Sequence, residues 1–83
     1  MSLAVRVAAA RRGRGLSRRG LSLGAGLSQA ITGQIERGDI VSPGTATIEA
    51  LAHALDVDPA WLAWGTGTPP VLPAPKAPAD EVA

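Results

Sequence analysis

Glycine placement is the tightest constraint on this chain. The stretch from Gly15 to Gln29 reads GLSRRGLSLGAGLSQ, with Gly-Leu-Ser three times in fifteen residues. The copies start five and then six residues apart, so no fixed structural repeat fits them. Before the first copy, Leu3, Val7 and Ala10 recur at i, i+4 and i+7, the apolar stripe of a helix. Gly15 can end that helix and Ser17 can cap the next. The third copy repeats the punctuation: Gly26 ends the second helix and Ser28 caps a third, with Ile31, Thr32 and Ile35 turned inward. The middle copy falls inside the second helix, where Leu21 faces the core and Ser22 lies near the turn. The pattern predicts two short helices and a tight connection.

Length sets the scale of what these helices can build. The chain has 83 residues, and its ending, TPPVLPAPKAPADEVA, is too rich in Pro and Ala to join a packed core. Pro69, Pro70, Pro73, Pro75 and Pro78 favour extended polyproline backbone. The expected division is a folded domain over residues 1–65 and a solvated, disordered tail over 66–83. So small a core supplies only a few kcal/mol of net stability, and a partner can supply some of the rest. Cysteine is absent, which excludes disulfides and thiolate metal sites. Without a signal peptide or an apolar run of spanning length, the chain reads as soluble and intracellular, with no membrane role.

A formal net charge of +1 conceals an asymmetry. Residues 1–37 hold Arg6, Arg11, Arg12, Arg14, Arg18, Arg19 and Arg37 against Glu36 alone. The remainder holds Lys76 against Asp39, Glu49, Asp56, Asp58, Asp80 and Glu81. One half is therefore basic and the other acidic. A run of charge can be a solvated helix face, but a one-sided basic set also attracts polyanions.

The run LSRRGLSLGAGLSQAITGQIERG resembles the helix-turn-helix of phage-repressor-type regulators, the lambda-repressor-like or XRE family. Leu16, Leu21, Gly26, Ser28, Ile35, Glu36 and Gly38 fall on that family's pattern without a gap. Downstream, IEALAHALDVDPAWLAWG resembles its fourth and fifth helices. The resemblance spans nearly all of residues 1–65 and implies an all-α, compact five-helix DNA-binding domain whose helices 2 and 3 form the helix-turn-helix. It also implies a small transcriptional regulator, a repressor in a phage or prophage-like bacterial setting, cytoplasmic and acting on double-stranded DNA as a homodimer. Larger repressors of this type continue into a second domain for dimerisation or sensing. Here the chain stops after the tail, so no sensing domain is expected.

Chemistry on the third helix points the same way. With Ser28, Ile31, Thr32 and Ile35 inward, its outer face carries Gln29, Ala30, Gly33 and Gln34, spaced i, i+1, i+4 and i+5. Such a face is uncharged, rimmed by amides and small enough to enter a major groove. Gln can read adenine through N6 and N7, and the Ala30 methyl can touch thymine. The same residues would also make an ordinary solvated face; seven nearby arginines favour the groove. Phosphate contacts are expected from Arg18 and Arg19 at the start of the second helix, where dipole and free amides favour an anion, and from Ser28 and Arg37. These would orient the protein without reading sequence. In the family pattern an arginine ending the first helix pairs with the glutamate matching Glu36, which makes Arg11–Glu36 a structural ion pair.

Several positions depart from the pattern. Gly20, Gly24 and Gly33 lie within helices, each costing about 1 kcal/mol relative to Ala. Ala25 and Thr32 replace larger aliphatics, and the Thr32 hydroxyl is expected to bond the Ser28 carbonyl one turn back. Gly20 stands where a capping box needs Glu, so low intrinsic stability is expected. In the fourth helix Ile48, Leu51, Ala52 and Leu55 share a face, while Ser42, Gly44 and Thr45 compete to cap it. The fifth has Asp58 as N-cap, Pro59 at its first position and Gly65 as its stop. Trp61 is expected to pack on the bundle, and Trp64 to mark a dimer surface.

Catalysis finds little to work with. A nucleophile needs a base in reach and a third group orienting that base. The single histidine, His53, lies off its helix's apolar stripe, and neither Cys nor Tyr is present. Asp56 and Asp58 imitate a metal pair, but capping explains Asp58 and too few ligands surround them. No cofactor or metal is expected. The rival to DNA binding is a protein-interaction module, such as an antitoxin whose Pro-rich tail holds a partner.

Overall fold

A computed structural model describes residues 1–71; the part of the tail beyond them, with Pro73, Pro75 and Pro78, lies outside the described residues. Five helices follow in order: α1 Leu3–Gly13, α2 Arg18–Gly24, α3 Ile31–Glu36, α4 Thr45–Leu55 and α5 Pro59–Trp64. No strand occurs among the described residues. The fold is all-α and lambda-repressor-like. Helix α1 packs on α3 and α5, α2 on α3 and α4, and α4 on α5. Val7, Ala10, Leu21, Ile35, Leu51, Ala52, Leu55, Trp61 and Leu62 form the shared core.

The Gly-Leu-Ser copies stop helices by one mechanism. After α1, Gly15 takes φ +70°, and the Leu16 amide donates to the Arg11 carbonyl at 3.1 Å. After α2, Gly26 takes φ +73°, and the Leu27 amide donates to the Ser22 carbonyl at 2.9 Å. An L side chain is disfavoured at these left-handed positions, which only glycine occupies freely. Each following leucine packs back against the core.

The two serines after those leucines diverge. Ser17 Oγ accepts from the Gly20 amide at 2.8 Å and caps α2. Ser28 does not cap α3, contrary to the sequence expectation: the helix starts at Ile31, its N-cap is Ala30, and no N-cap side chain contributes. The reason is a hydroxyl from the neighbouring helix. Ser22 Oγ accepts from the Thr32 amide at 3.1 Å, lies 2.6 Å from Thr32 Oγ1, and donates to the Arg18 carbonyl at 3.1 Å. A hydroxyl has one proton and two acceptor sites. With the Ser22 proton on Arg18, the Thr32 hydroxyl must be the donor in the pair, so Thr32 bonds Ser22 and not the Ser28 carbonyl. Both residues are fully buried.

Arginine also enters the interior where the sequence suggested only surface charge. Arg6 is buried; its Nε donates to the Leu62 carbonyl and its Nη2 to the Ala63 carbonyl, each at 2.9 Å, while Nη1 reaches the Met1 carbonyl. It thereby satisfies the carbonyls that end α5, where a cation also suits the helix dipole. At the other end of α5, Asp58 caps through the Ala60 amide at 2.8 Å and also accepts from the Thr68 amide at 3.0 Å. Helix α4 begins after Gly44 without a side-chain cap.

Two stability tests follow from these bonds. Ser22→Ala should cost about 1–3 kcal/mol in urea denaturation, because it strands the buried Thr32 amide and hydroxyl, whereas Thr32→Val should cost less. Equal losses would show that the pair is not centred on Ser22. Arg6→Ala should cost about 2–3 kcal/mol, since charge-assisted bonds to three carbonyls are lost, and Arg6→Lys should fail to restore it because an ammonium lacks the fork.

Candidate nucleic-acid interface

The carboxylate of Glu36 organises the side of the bundle formed by α1, α2 and α3. Arg11 grips it with two bonds, Nε to Oε2 at 2.7 Å and Nη2 to Oε1 at 3.1 Å. The remaining Arg11 nitrogen, Nη1, donates to the Leu16 carbonyl at 2.9 Å. Arg18 then adds Nε to Oε1 at 3.0 Å from the start of α2. The Arg11 and Glu36 side chains are nearly enclosed, whereas the Arg18 side chain stays 58% exposed.

Around this anchor the residues singled out in the sequence separate into three groups. Gln29 and Ala30 are exposed, in the turn leading into α3, while Gln34 is half-buried. Ser28, Arg19 and Arg37 are exposed as well, Arg37 pairing with Asp39 at 3.2 Å. Gly33 departs from the expected outer face. It is buried, because the side chains of Arg37 and Arg18 lie across it. It therefore offers no surface for touching a base. Away from this side, Trp64 is exposed and lines an apolar groove with Leu3, Val41, Pro43, Ile48 and Ala63.

Of the seven arginines, Arg6 and Arg11 are spent inside the fold, so the basic surface consists of Arg12, Arg14, Arg18, Arg19 and Arg37. His53 is exposed. Among the described residues, no cluster of His, Cys, Asp or Glu could hold a metal ion, and no helix is long and apolar enough to cross a membrane.

A model of the helix-turn-helix family matches residues 7–62. The chain belongs to the lambda-repressor-like, or XRE, helix-turn-helix family. It is a DNA-binding transcription regulator of that type, and helix-turn-helix domains of this kind bind double-stranded DNA. No curated protein and no solved structure matches the chain. In helix-turn-helix terms, α2 and α3 are the paired helices, the Gly26 turn joins them, and the Ser22–Thr32 hydroxyls sit buried between them.

Burial alone would raise the Glu36 carboxyl above the ordinary value of 4.5; the bond and charge of Arg11, followed by those of Arg18, outweigh it and hold the group below that value. A carboxyl depressed in the folded state contributes stability above its unfolded pKa and loses it as pH falls through the folded value. Glu36→Gln should therefore be less stable than wild type at neutral pH, with a gap that narrows as urea midpoints are followed below pH 4.5. A gap that stays constant down to about pH 2, below the ordinary carboxyl range, would mean the charge of Glu36 contributes nothing.

Proposed function

We propose that residues 1–65 act as a repressor domain that binds a pseudo-palindromic operator as a dimer and occludes a promoter, in the cytoplasm of a bacterial or phage-infected cell. The observation that carries this reading is an exposed, uncharged pair, Gln29 and Ala30, at the leading end of α3, with exposed arginines on the elements either side of it. The neighbouring carboxylate of Glu36 is enclosed and neutralised. A polyanion approaching here meets amide and guanidinium groups, and the exposed acid beside them, Asp39, is already paired with Arg37.

In this reading Gln29 contacts an adenine edge, Ala30 fits against a thymine methyl, and the half-buried Gln34 lies behind them at the groove wall. Arg18, Arg19, Arg37 and the Ser28 hydroxyl supply phosphate contacts that set register. Trp64 and its apolar groove pair two copies, placing two α3 helices in successive major grooves about 34 Å apart.

Selection of bound duplexes from a random pool tests this directly. An enriched inverted repeat, bound much more tightly than a scrambled control and weakening as salt rises, is the expected result. On that repeat, Gln29→Ala should cost about 1–3 kcal/mol and relax preference at one base pair, while Arg18→Ala should weaken all sequences alike. Equal losses on selected and scrambled DNA for Gln29→Ala would remove the turn before α3 from the reading surface. A pool without enrichment, and no salt-dependent binding, would move the function to a protein partner.

A further inference from the structure

Gly33 sits on the side of α3 turned away from the core, yet it is buried, and arginine side chains are what bury it. A Cβ at this position would stand 3.0 Å from Arg37 Nη1 and 3.8 Å from Arg18 Cδ. Arg18 arrives from the first turn of α2 and Arg37 from just beyond the end of α3, so two residues nineteen positions apart meet over one bare patch of helix. Each is held on one side by a carboxylate, Arg18 by Glu36 at 3.0 Å and Arg37 by Asp39 at 3.2 Å. Both side chains nevertheless remain more than half exposed.

We propose that Arg18 and Arg37 act as one phosphate clamp across α3, admitted by the missing side chain of Gly33 and pre-set by Glu36 and Asp39. The proposal rests on the DNA-binding reading above, and it makes Gly33 a positioning residue. Arg18 engages Glu36 through Nε alone, so both of its terminal nitrogens stay uncommitted among the described residues. Arg37 engages Asp39 through Nε and Nη2, which leaves Nη1, the atom nearest Gly33, uncommitted there. Arg18 and Arg37 line one cleft, and the fork of a guanidinium matches the paired free oxygens of a backbone phosphodiester, a geometry lysine would not reproduce. Arg12 lines the same cleft between α1 and α3, adding charge from a third element. The carboxylates keep both arginines in place before binding, which lowers the ordering cost when the phosphate arrives.

Gly33→Ala separates this role from the fold. The added methyl presses on the far end of the flexible Arg37 side chain and touches Arg18 Cδ at ordinary contact distance, and alanine favours the helix, so the melting temperature should hold or rise. Binding to a random-sequence duplex, followed by fluorescence anisotropy through a salt series, should nonetheless weaken about three- to tenfold, with the slope of log affinity against log salt reduced by about 1. The loss should disappear when Gly33→Ala is made in an Arg37→Ala background, because the residue to be displaced is gone. Unchanged binding by Gly33→Ala, or an equal loss with and without Arg37, would overturn the clamp while leaving the DNA-binding reading intact. A wild-type chain that binds no duplex at any salt would overturn that reading, and the clamp with it.

Discussion

One carboxylate, that of Glu36, fixes how three helices meet. Its two oxygens accept from Arg11 at the end of α1 and from Arg18 at the start of α2, and Arg11 also holds the Leu16 carbonyl in the turn between those helices. A nearly enclosed ion pair adds little net stability, since desolvation offsets most of the Coulomb attraction, but losing one partner of such a pair costs about 3–5 kcal/mol. Its value lies in geometry. A bidentate guanidinium–carboxylate contact tolerates little rotation, so the end of α3 cannot turn without breaking it.

The beginning of α3 is held by a different chemistry. This helix has six residues, too few to persist by its own hydrogen bonds. Ser22 takes its Thr32 amide and hydroxyl at one end, and Arg11 takes Glu36 at the other. Between these clamps Ile35 is buried in the core. With both ends fixed through side chains of other helices, α3 can carry small, exposed or glycine positions on its remaining faces without losing its place. That freedom is what a surface shaped to enter a groove requires.

The parts legible in the sequence are those decided within a few residues. Gly15 and Gly26 stop helices because a left-handed residue must follow the last turn, and Asp58, Pro59 and Gly65 frame α5 for equally local reasons. The Arg11–Glu36 contact was named through a family pattern, since a separation of twenty-five positions carries no local signal. Ser22 and Ser28 are alike to any short-range rule; only the packing of α2 on α3 decides that the first is a partner for Thr32 and the second is left to solvent. Arg6 did carry a signal. It completes the i, i+3, i+4, i+7 set with Leu3, Val7 and Ala10, an inward position on α1, where its guanidinium meets the end of α5. Gly33 carried none, because its burial depends on two arginines from elsewhere in the chain.

The charge asymmetry takes on two separate meanings once the side chains are placed. Among the described side chains, ion pairing with a polyanion falls to the five exposed arginines, of which Arg18 already pairs with Glu36 and Arg37 with Asp39. Attraction at a distance counts buried and exposed charge alike, within a screening length of about 8 Å at physiological salt. Glu49, Asp56 and Asp58 sit on α4 and the turn before α5, with Arg14 beside Glu49 and Asp56, whereas Arg12, Arg18, Arg19 and Arg37 belong to α1, α2 and the C-terminal end of α3. A molecule with almost no net charge gains an orienting field from this separation.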